Sequence, residues 1–473
     1  MALACGRGRS GPRPVQASAV VFVGEAGPGA ADGSAAHPFA DGSAAHPFAD
    51  LQQALDAAPD GALLRLAAGE FEGPVRIERS VRIVGAGPRR TVIRGTTGLT
   101  VDVRAPRVEL RGLGIASGST CLSFTGGDHR LAQVELRSAT ETGLLAKGAR
   151  ISFRGGAIRD VGDSSRGRGV DVEGGAIELR SVVFRSAGRR AIVLHRADGL
   201  IQDVNVSGSA LSAVQATAGA SVRVIRGSFE GLGGAALYAG GSSMSVEGAV
   251  VDAAEYGVIG FRGAQVVVRG GKFSRYGVAG VALVGSHGSI SDAQFTRGGS
   301  EGAISVSFAD GELPILLTGN RIQEPGPIGI HVTESAVTVR GNSITGARPD
   351  AQGDLGDAVY AMGSRVIATE NVLRGNAGSG IAATRTSAFV FRNGFIENRR
   401  AGLLLLDRSR GMAGGNLFLR NAQSGVEVGE ASRVELDRNR FSGNRRFDVD
   451  SGCGKGSGTT RLDAPVRERT CPK

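Results

Sequence analysis

The chain has no tryptophan and only four cysteines and four lysines. The cysteines do not have the spacing of metal ligands, which argues against a zinc or iron–sulfur module. No apolar run reaches the roughly 18 residues of a transmembrane helix. The net charge of +10 comes almost entirely from scattered arginines, so we expect no nucleic-acid partner.

What the chain has in abundance is glycine, 76 residues, and a repeated unit that is clearest between Gly380 and Asn444. Each copy has an asparagine, an apolar residue two positions later, and a second asparagine five positions after the first. Two series of asparagines recur every 22 or 23 residues: Asn371, Asn393, Asn416 and Asn439, and Asn376, Asn398, Asn421 and Asn444. A fixed period of this size predicts a solenoid.

The same period can be followed toward the N-terminus through the apolar residue after each Gly or Ala turn. These anchors are separated by 22 to 29 residues, and with a first turn near Val75 they predict about sixteen turns. At a strand spacing of about 4.8 Å the stack would be roughly 75 Å long. The anchors are Leu99, Leu122, Leu144, Val170, Ile192, Val214, Ala236, Val258, Val281, Ile304, Ile330, Val359, Ile381, Leu403 and Val426.

The repeated asparagines have a structural interpretation. An inward amide at a turn can donate to one neighbouring turn and accept from the next, which predicts a ladder through Asn320, Asn342 and the first series above. In earlier turns we expect small residues at the same place: Gly156, Gly227, Gly248, Gly271 and Ala293.

The segment before the repeats contains one amphipathic helix, predicted from Asp50 to Ala58, followed by short strands. The run from Asp41 to Gly73, with VRIVGAGPRRTVIRG after it, resembles the N-terminal segment of right-handed parallel β-helix proteins of the pectin lyase-like class. The asparagine repeats resemble those of the same class. The resemblance covers residues 20–445 and implies an all-β fold, a right-handed parallel β-helix with an N-terminal capping helix. Residues 1–19 are predicted to be a flexible leader or signal remnant, and 446–473 a C-terminal cap or tail.

The class contains lyases, hydrolases, epimerases, adhesins and non-enzymatic proteins, so the resemblance predicts a fold better than a function. The sequence lacks the Asn-Thr-Asp, Asp-Asp, His-Gly and Arg-x-Lys set of polygalacturonase-like hydrolases. It also lacks the Asp-Pro-His-Glu motif of alginate epimerases. These absences argue against the best-known enzymes of the class.

A candidate catalytic set follows from strand alternation, which places the residues one and three positions after each anchor on the outside. Lys147, Glu173 and His195 would then lie on successive turns, with Asp171 beside Glu173. A carboxylate pair with a nearby base suits proton transfer on a sugar ring. The alternative is a ladder of exposed charges that stabilises strand pairing.

Two further candidates lie nearer the C-terminus. His331 and Tyr360 would be neighbours on the same outer face and could stack a sugar ring. Asp350, Asp354 and Asp357 supply the oxygen ligands that Ca²⁺ prefers, although a solvated acidic loop is the simpler interpretation. No cofactor is required.

Four arginines that precede apolar residues could form a polyanion groove, although they are scattered over many turns: Arg154, Arg180, Arg269 and Arg340.

The location of the protein is predicted from the two ends of the chain. Ala2 to Gly6 resembles the end of a lipoprotein signal, in which Cys5 would be lipidated and would give the only membrane attachment. Cys453 and Cys471 could close a loop by a disulfide, which would require an oxidising compartment. We expect an exported monomer, periplasmic, secreted or a surface lipoprotein, with the true signal peptide upstream.

The functional prediction is an exported bacterial protein that binds polysaccharide or another surface partner without catalysis. Two alternatives stay open: a polysaccharide lyase or glycoside hydrolase acting on an acidic glycan, and a structural spacer or adhesin. The outward residues that follow the anchors are rich in aliphatic side chains, which favours contact with a partner over a solvated catalytic cleft.

Overall fold

The computed structural model describes residues 19–24, 41–162, 165–309, 311, 314–429, 431–452, 459–461 and 467–468. These residues form a parallel β-solenoid of about 17 turns with one short helix. Each turn contributes strands to three stacks, and every strand pairs in parallel with its equivalent one turn on. No helix within the described ranges is both long enough and apolar enough to cross a bilayer.

The first stack contains the predicted anchors. Its strands are Val75–Ile77, Leu99–Val103, Thr120–Thr125, Thr142–Lys147, Arg168–Glu173, Arg190–His195, Ser212–Thr217, Ala279–Val284, Gly302–Ser307, Ile328–Thr333, Asp357–Met362, Ile381–Thr384, Leu403–Leu406, Val426–Val428 and Val449–Asp450.

The second stack follows the first along the chain. Its strands are Val20–Val23, Leu63–Leu66, Val81–Val84, Val108–Arg111, Ala176–Arg180, Asp198–Gln202, Ser221–Ile225, Ser243–Glu247, Gln265–Arg269, His287–Ser291, Ile315–Thr318, Ala336–Arg340, Arg365–Thr369, Ser387–Phe391, Arg410–Gly414, Arg433–Asp437 and Thr459–Arg461.

The third stack completes each turn. Its strands are Gly69–Glu72, Thr91–Arg94, Gly114–Ala116, Val183–Arg185, Asn205–Ser207, Lys272–Ser274, Gln294–Thr296, Arg321–Gln323, Ser343–Thr345, Val372–Arg374, Gly394–Ile396, Leu417–Leu419 and Arg440–Ser442. Four longer strands bend across a corner and belong to two stacks: Asp128–Arg137 and Arg150–Arg159 to the second and third, and Ser228–Gly240 and Val250–Phe261 to the third and first.

The core is one continuous column of apolar side chains inside the three stacks. Strand alternation explains it: in the strand Ser221–Ile225, for example, Val222 and Val224 are buried whereas Ser221 and Arg223 are exposed. Phe395, Phe418 and Phe441 stack on successive turns with ring centroids 4.8 and 4.9 Å apart. No turn could bury this surface alone, so the turns stabilise one another.

The predicted helix closes the N-terminal end of the core. It runs from Leu51 to Ala57, and the Asp50 carboxylate caps it by accepting a 2.7 Å hydrogen bond from the N–H of Gln53. Leu51, Ala54 and Leu55 are buried against the first turns. The expected capping role is therefore consistent with its position.

The predicted asparagine ladder is present. The Asn416 Oδ1 accepts hydrogen bonds from the backbone N–H of Asn393 (2.8 Å) and from its Nδ2 (3.1 Å). The Asn393 Nδ2 also donates to the carbonyl of Ala368 in the preceding turn, at 2.9 Å. This pattern runs from Asn320 to Asn439, and a second ladder joins Asn376 to Asn444 at the next corner.

Three details of the sequence-based alignment are wrong. The anchor is Leu237 rather than Ala236, because the pairing shifts between Leu232 and Ala235, and Tyr238 therefore occupies the outward position. Val101 rather than Leu99 aligns with Leu122. Ala249 rather than Gly248 precedes the pair Val250–Lys272 and so occupies the ladder position.

The C-terminal segment predicted to be a cap adds strands to the stack within its described residues. Val449 and Asp450 pair with Val426 and Glu427, and Thr459–Arg461 pairs with Arg433–Glu435. They raise the count of turns from sixteen to about 17. The leader, Cys5, Cys453 and Cys471 lie outside the described residues, and the lipidation and disulfide hypotheses stay predictions.

Candidate functional site

A groove of about 980 Å³ lies on the outside of the second stack, in the N-terminal half. It follows eight successive turns, from Glu109 to Val267. At about 4.8 Å a turn, this distance is on the order of 35 Å. We call it the second-face groove.

Two parallel rows of outward side chains line the second-face groove, and strand register fixes both. The first row contains Glu109, Arg130, Ser152, Glu178, Leu200, Arg223, Ser245 and Val267. The second row contains Asp128, Arg150, Ala176, Asp198, Ser221, Ser243 and Gln265. The serines and Ala176 are short, so they leave a depression between the longer charged side chains.

The charged groups of the second-face groove are only partly paired with each other. Glu178 forms ion pairs with Arg180 and with Arg154, whose Nη2 lies 3.6 Å from the Glu178 Oε1. Arg223 pairs with Glu247 at 3.2 Å. By contrast, Arg130 and Arg150 form no hydrogen bond or ion pair through their side chains with any residue in the described ranges, and both are exposed. These two guanidinium groups are therefore available to a ligand.

The arginine row predicted from the sequence lies partly in this groove. Arg154 and Arg180 are adjacent in register and line it, whereas Arg269 and Arg340 lie in the same row of later turns, outside it. Sequence reasoning missed Arg130, Arg150 and Arg223. The available signal was the repeat itself, which places all three at outward positions of strands one stack further along the chain.

The candidate catalytic residues have the predicted relative positions. Lys147 pairs with Glu173, and Glu173 with His195, on three consecutive turns of the first stack. Asp171 lies two residues before Glu173 on the same outer side. They are on a different face from the second-face groove and do not line it.

The contacts of these residues are local. Asp171 forms an ion pair with Arg168 on its own strand. The His195 Nδ1 lies 3.2 Å from the Oγ1 of Thr217 on the next turn. Across the described residues, no ion pair within 4.0 Å joins Lys147 to Glu173. The structure brings the four residues to one surface without assembling a hydrogen-bonded acid–base pair.

His331 and Tyr360 are neighbours, as expected. They are paired in register on adjacent turns, and their ring centroids are 5.7 Å apart at an angle of 52°. Burial lowers the pKa of His331, partly offset by the charge of Glu301. The His331 Nε2 lies 3.2 Å from the Oγ1 of Thr333. Tyr360 also packs against a small outer cluster of Ala382, Ala401 and Leu404, so this patch is largely apolar.

The three aspartates considered for calcium are not brought into one group. Asp350 accepts hydrogen bonds from the N–H groups of Gln352 and Asp354 and so orders its own loop. Asp357 is buried in the first stack and accepts a hydrogen bond from the N–H of Ser379. No three His, Cys, Asp or Glu side chains converge as metal ligands anywhere in the described part of the chain.

Comparison with known proteins agrees with this architecture. Residues 328–460 match the family model described as "Right handed beta helix region". The match covers about a quarter of the chain, and the fold of the described residues is the right-handed parallel β-solenoid that the sequence predicted. A search of curated protein sequences found no match.

Several solved structures resemble the chain at low identity. An alginate lyase from Paenibacillus sp. str. FPU-7 is 15% identical, with 71% of this chain and 95% of that one covered and a TM-score of 0.31. The Azotobacter vinelandii mannuronan C-5 epimerase AlgE4 A-module is 16% identical, with 90% and 96% covered and a TM-score of 0.26. The N-terminal fragment of bacteriophage Phi29 gene product 12 is 10% identical, with 90% and 94% covered and a TM-score of 0.36. Similarities this remote do not assign an activity.

Proposed function

We propose that the protein binds an extended acidic polysaccharide along the second-face groove and does not cleave it. The observation that carries the proposal is the pair of exposed guanidinium groups of Arg130 and Arg150 in this groove, neither of which has a side-chain partner among the described residues. A guanidinium group binds a carboxylate through two parallel hydrogen bonds, which gives both affinity and orientation.

The shape of the groove supports a linear ligand. Its volume of about 980 Å³ is at the upper end of ordinary ligand sites. It follows the solenoid axis and is not a closed pocket, so a chain could lie across several turns. Ser221, Ser243 and Ser245 supply hydroxyl groups, and Asp128 and Asp198 supply acceptors for sugar hydroxyls.

The proposal requires the protein to meet a glycan outside the cytoplasm. We therefore also propose export, which is supported by the resemblance of Ala2–Gly6 to a lipoprotein signal end.

The test is binding of the full chain to polygalacturonate, alginate and uncharged dextran, measured by isothermal titration calorimetry. We expect binding to at least one acidic polymer, none to dextran, and at least tenfold weaker binding by Arg130→Gln/Arg150→Gln. The matched control is Arg410→Gln/Arg433→Gln, because these exposed arginines occupy the same row as Arg150 near the C-terminal end.

Equal losses in the test and control variants would show charge-dependent, unspecific binding and would contradict the proposal. Failure of the folded protein to bind any polysaccharide would favour a structural spacer or adhesin.

A second candidate function is cleavage of an acidic glycan at Lys147, Asp171, Glu173 and His195, favoured by the position of these residues on successive turns of one face. It is tested by product release from the same polymers, with and without Ca²⁺, in the wild type and in Glu173→Ala/His195→Ala. Turnover that disappears in the double variant would establish this site. Turnover that persists would direct attention to His331 and Tyr360.

A further inference from the structure

Two arginines lie directly beside each other at the start of first-stack strands. Arg168 is paired in register with Arg190 on the next turn. Their backbones are therefore about 4.8 Å apart. Like charges opposite each other on neighbouring strands normally destabilise the pairing.

The two side chains are compensated unequally. Arg168 forms an ion pair with Asp171. Arg190 forms no side-chain hydrogen bond or ion pair with any residue of the described ranges, and its Nε is buried without an acceptor. A buried N–H donor is normally satisfied, so an unpaired one needs an explanation.

Other positive charges act on Arg190. Burial lowers the pKa of Arg190, and the charges of Arg189 and Arg168 lower it further, whereas Asp171 acts in the opposite direction. The charged groups that act on Arg190 are therefore two arginines and one carboxylate. The next residue in the row is Ser212, whose buried hydroxyl likewise has no partner among the described residues.

We propose that Arg168 and Arg190 form a binding site for a doubly charged oxyanion, sulfate or phosphate, either free or carried as a substituent on a larger ligand. Such an anion can accept hydrogen bonds from two guanidinium groups at once, and its negative charge would offset the repulsion between Arg168 and Arg190. The site is on the first face and does not depend on the second-face groove.

The test is isothermal titration calorimetry of the full chain with sodium sulfate and sodium phosphate, at an ionic strength held constant with sodium chloride. We expect one saturable site in the wild type and at least tenfold weaker sulfate binding in Arg190→Gln. Asp171→Asn should bind sulfate several-fold more tightly, because Asp171 competes with the anion for Arg168. The control is Arg433→Gln, which removes the same charge at the far end of the solenoid and should change the affinity less than twofold.

Arg168→Gln provides a second loss-of-binding variant if Arg190→Gln does not fold, as judged by circular dichroism. The proposal is wrong if the folded wild type gives no saturable heat, or if Arg190→Gln and Arg433→Gln bind sulfate equally. It is also wrong if Asp171→Asn does not strengthen binding.

The source of the anion is resolved by competition, with dextran sulfate and uncharged dextran added to the sulfate-saturated protein. Displacement by dextran sulfate alone, at a lower concentration of sulfate groups than the free ion requires, indicates a substituent on a polymer. No displacement by either polymer indicates a free ion, and both results support the site. Equal displacement by uncharged dextran would contradict it.

Discussion

The two halves of the solenoid stabilise the corners between their strands by different interactions. In the half that begins at Asn320, which we call the ladder half, one corner of each turn as far as Asn416 holds a buried asparagine that is hydrogen-bonded to the next turn. In the N-terminal half the position occupied by the first asparagine ladder holds apolar or small residues, among them Leu113, Val182 and Val204. The comparison separates a half held together by directional hydrogen bonds from one held together by packing.

The ladder half has a third set of linked corners that the sequence reading missed. The N–H groups of Ser364, Thr386 and Ser409 donate to the hydroxyl oxygen of the next residue in the row, at 3.2, 3.1 and 3.1 Å. All three corners of these turns are therefore hydrogen-bonded along the axis. Such ladders repeat a similar polar residue from turn to turn, and this half contains the family match at 328–460.

The packed half is under no such restriction, and it contains both proposed binding surfaces. Its outward rows vary from turn to turn, so charged and short side chains can alternate to form a groove. The hydrogen-bonded corners and the variable binding surfaces therefore lie in separate parts of one solenoid.

The largest expected effect comes from placing a ladder residue in the packed half. Val204→Asn would replace a fully buried side chain at a corner where the adjoining positions, Val182 and Gly227, offer no side-chain partner. Lost packing and an unsatisfied amide should reduce the free energy of unfolding by about 4 kcal/mol. Guanidinium denaturation followed by circular dichroism measures it, and a loss below about 1 kcal/mol would show that packing does not define this half.

Removing one ladder residue should have a slightly smaller effect. Asn393→Ala deprives the N–H and Nδ2 groups of Asn371 of their shared acceptor, both of which are buried. The expected loss is about 3 kcal/mol. Asn205→Ala is the control, since Asn205 is exposed, and it should change stability by less than about 0.5 kcal/mol. Similar stability of the two variants would argue that the ladder is dispensable.

The buried Asp357 gives a pH-dependent test of the ladder half. Burial raises its pKa, although the hydrogen bond from Ser379 opposes this. Because the folded-state pKa lies above the unfolded one, the stabilising contribution of the protonated form is present below the unfolded pKa and is lost as pH rises through the folded pKa. Asp357→Asn keeps a neutral acceptor for Ser379 and should be more stable than the wild type at pH 7 by about 1 kcal/mol.

The difference between the wild type and Asp357→Asn should shrink as the pH falls toward 4 and vanish below the unfolded pKa. Thermal denaturation between pH 3 and 7 measures it. A variant that is less stable at pH 7 would mean that the charge of Asp357 is compensated, for example by Arg400, which lowers its pKa.

The smallest effect is expected where the two halves meet. Ala293 adjoins Asn320 and already donates its N–H to the Asn320 Oδ1 at 3.1 Å. In Ala293→Asn the new Nδ2 would share that acceptor, as in every later turn, and would extend the ladder by one position. Its stability should stay within about 1 kcal/mol of the wild type, in contrast to Val204→Asn. A loss as large as that of Val204→Asn would show that the ladder depends on more than its nearest neighbour.

The extent to which the sequence predicts the structure follows the same division. The 22- and 23-residue intervals gave the fold, the asparagine ladder and the alignment of Lys147, Glu173 and His195, because one register decides all of them. The alignment was wrong at Ala236 because the irregular pairing after Leu232 moves the chain by one residue. The serine–threonine ladder shares the period of the asparagines and could have been found.

The second-face groove could not be predicted in the same way. Its depth depends on short side chains such as Ala176 and Ser221 lying beside long ones across eight turns. The availability of Arg130 and Arg150 depends on which neighbouring carboxylates lie within reach, since Glu178 pairs with Arg154 and Arg180 instead. The period and the residue type predict the strand position of a side chain. They do not predict which neighbouring side chain it contacts, because that depends on distances of a few ångströms.

The constant separation of equivalent strands has a consequence for how such a chain can change in length. Gain or loss of one complete turn, 22 or 23 residues here, keeps every row aligned and lengthens or shortens the groove by one fixed increment. An insertion of a single residue shifts inward and outward side chains unless a local irregularity absorbs it, as after Leu232. The length of the solenoid, and of the groove along it, can therefore change only by whole turns without disturbing the rows.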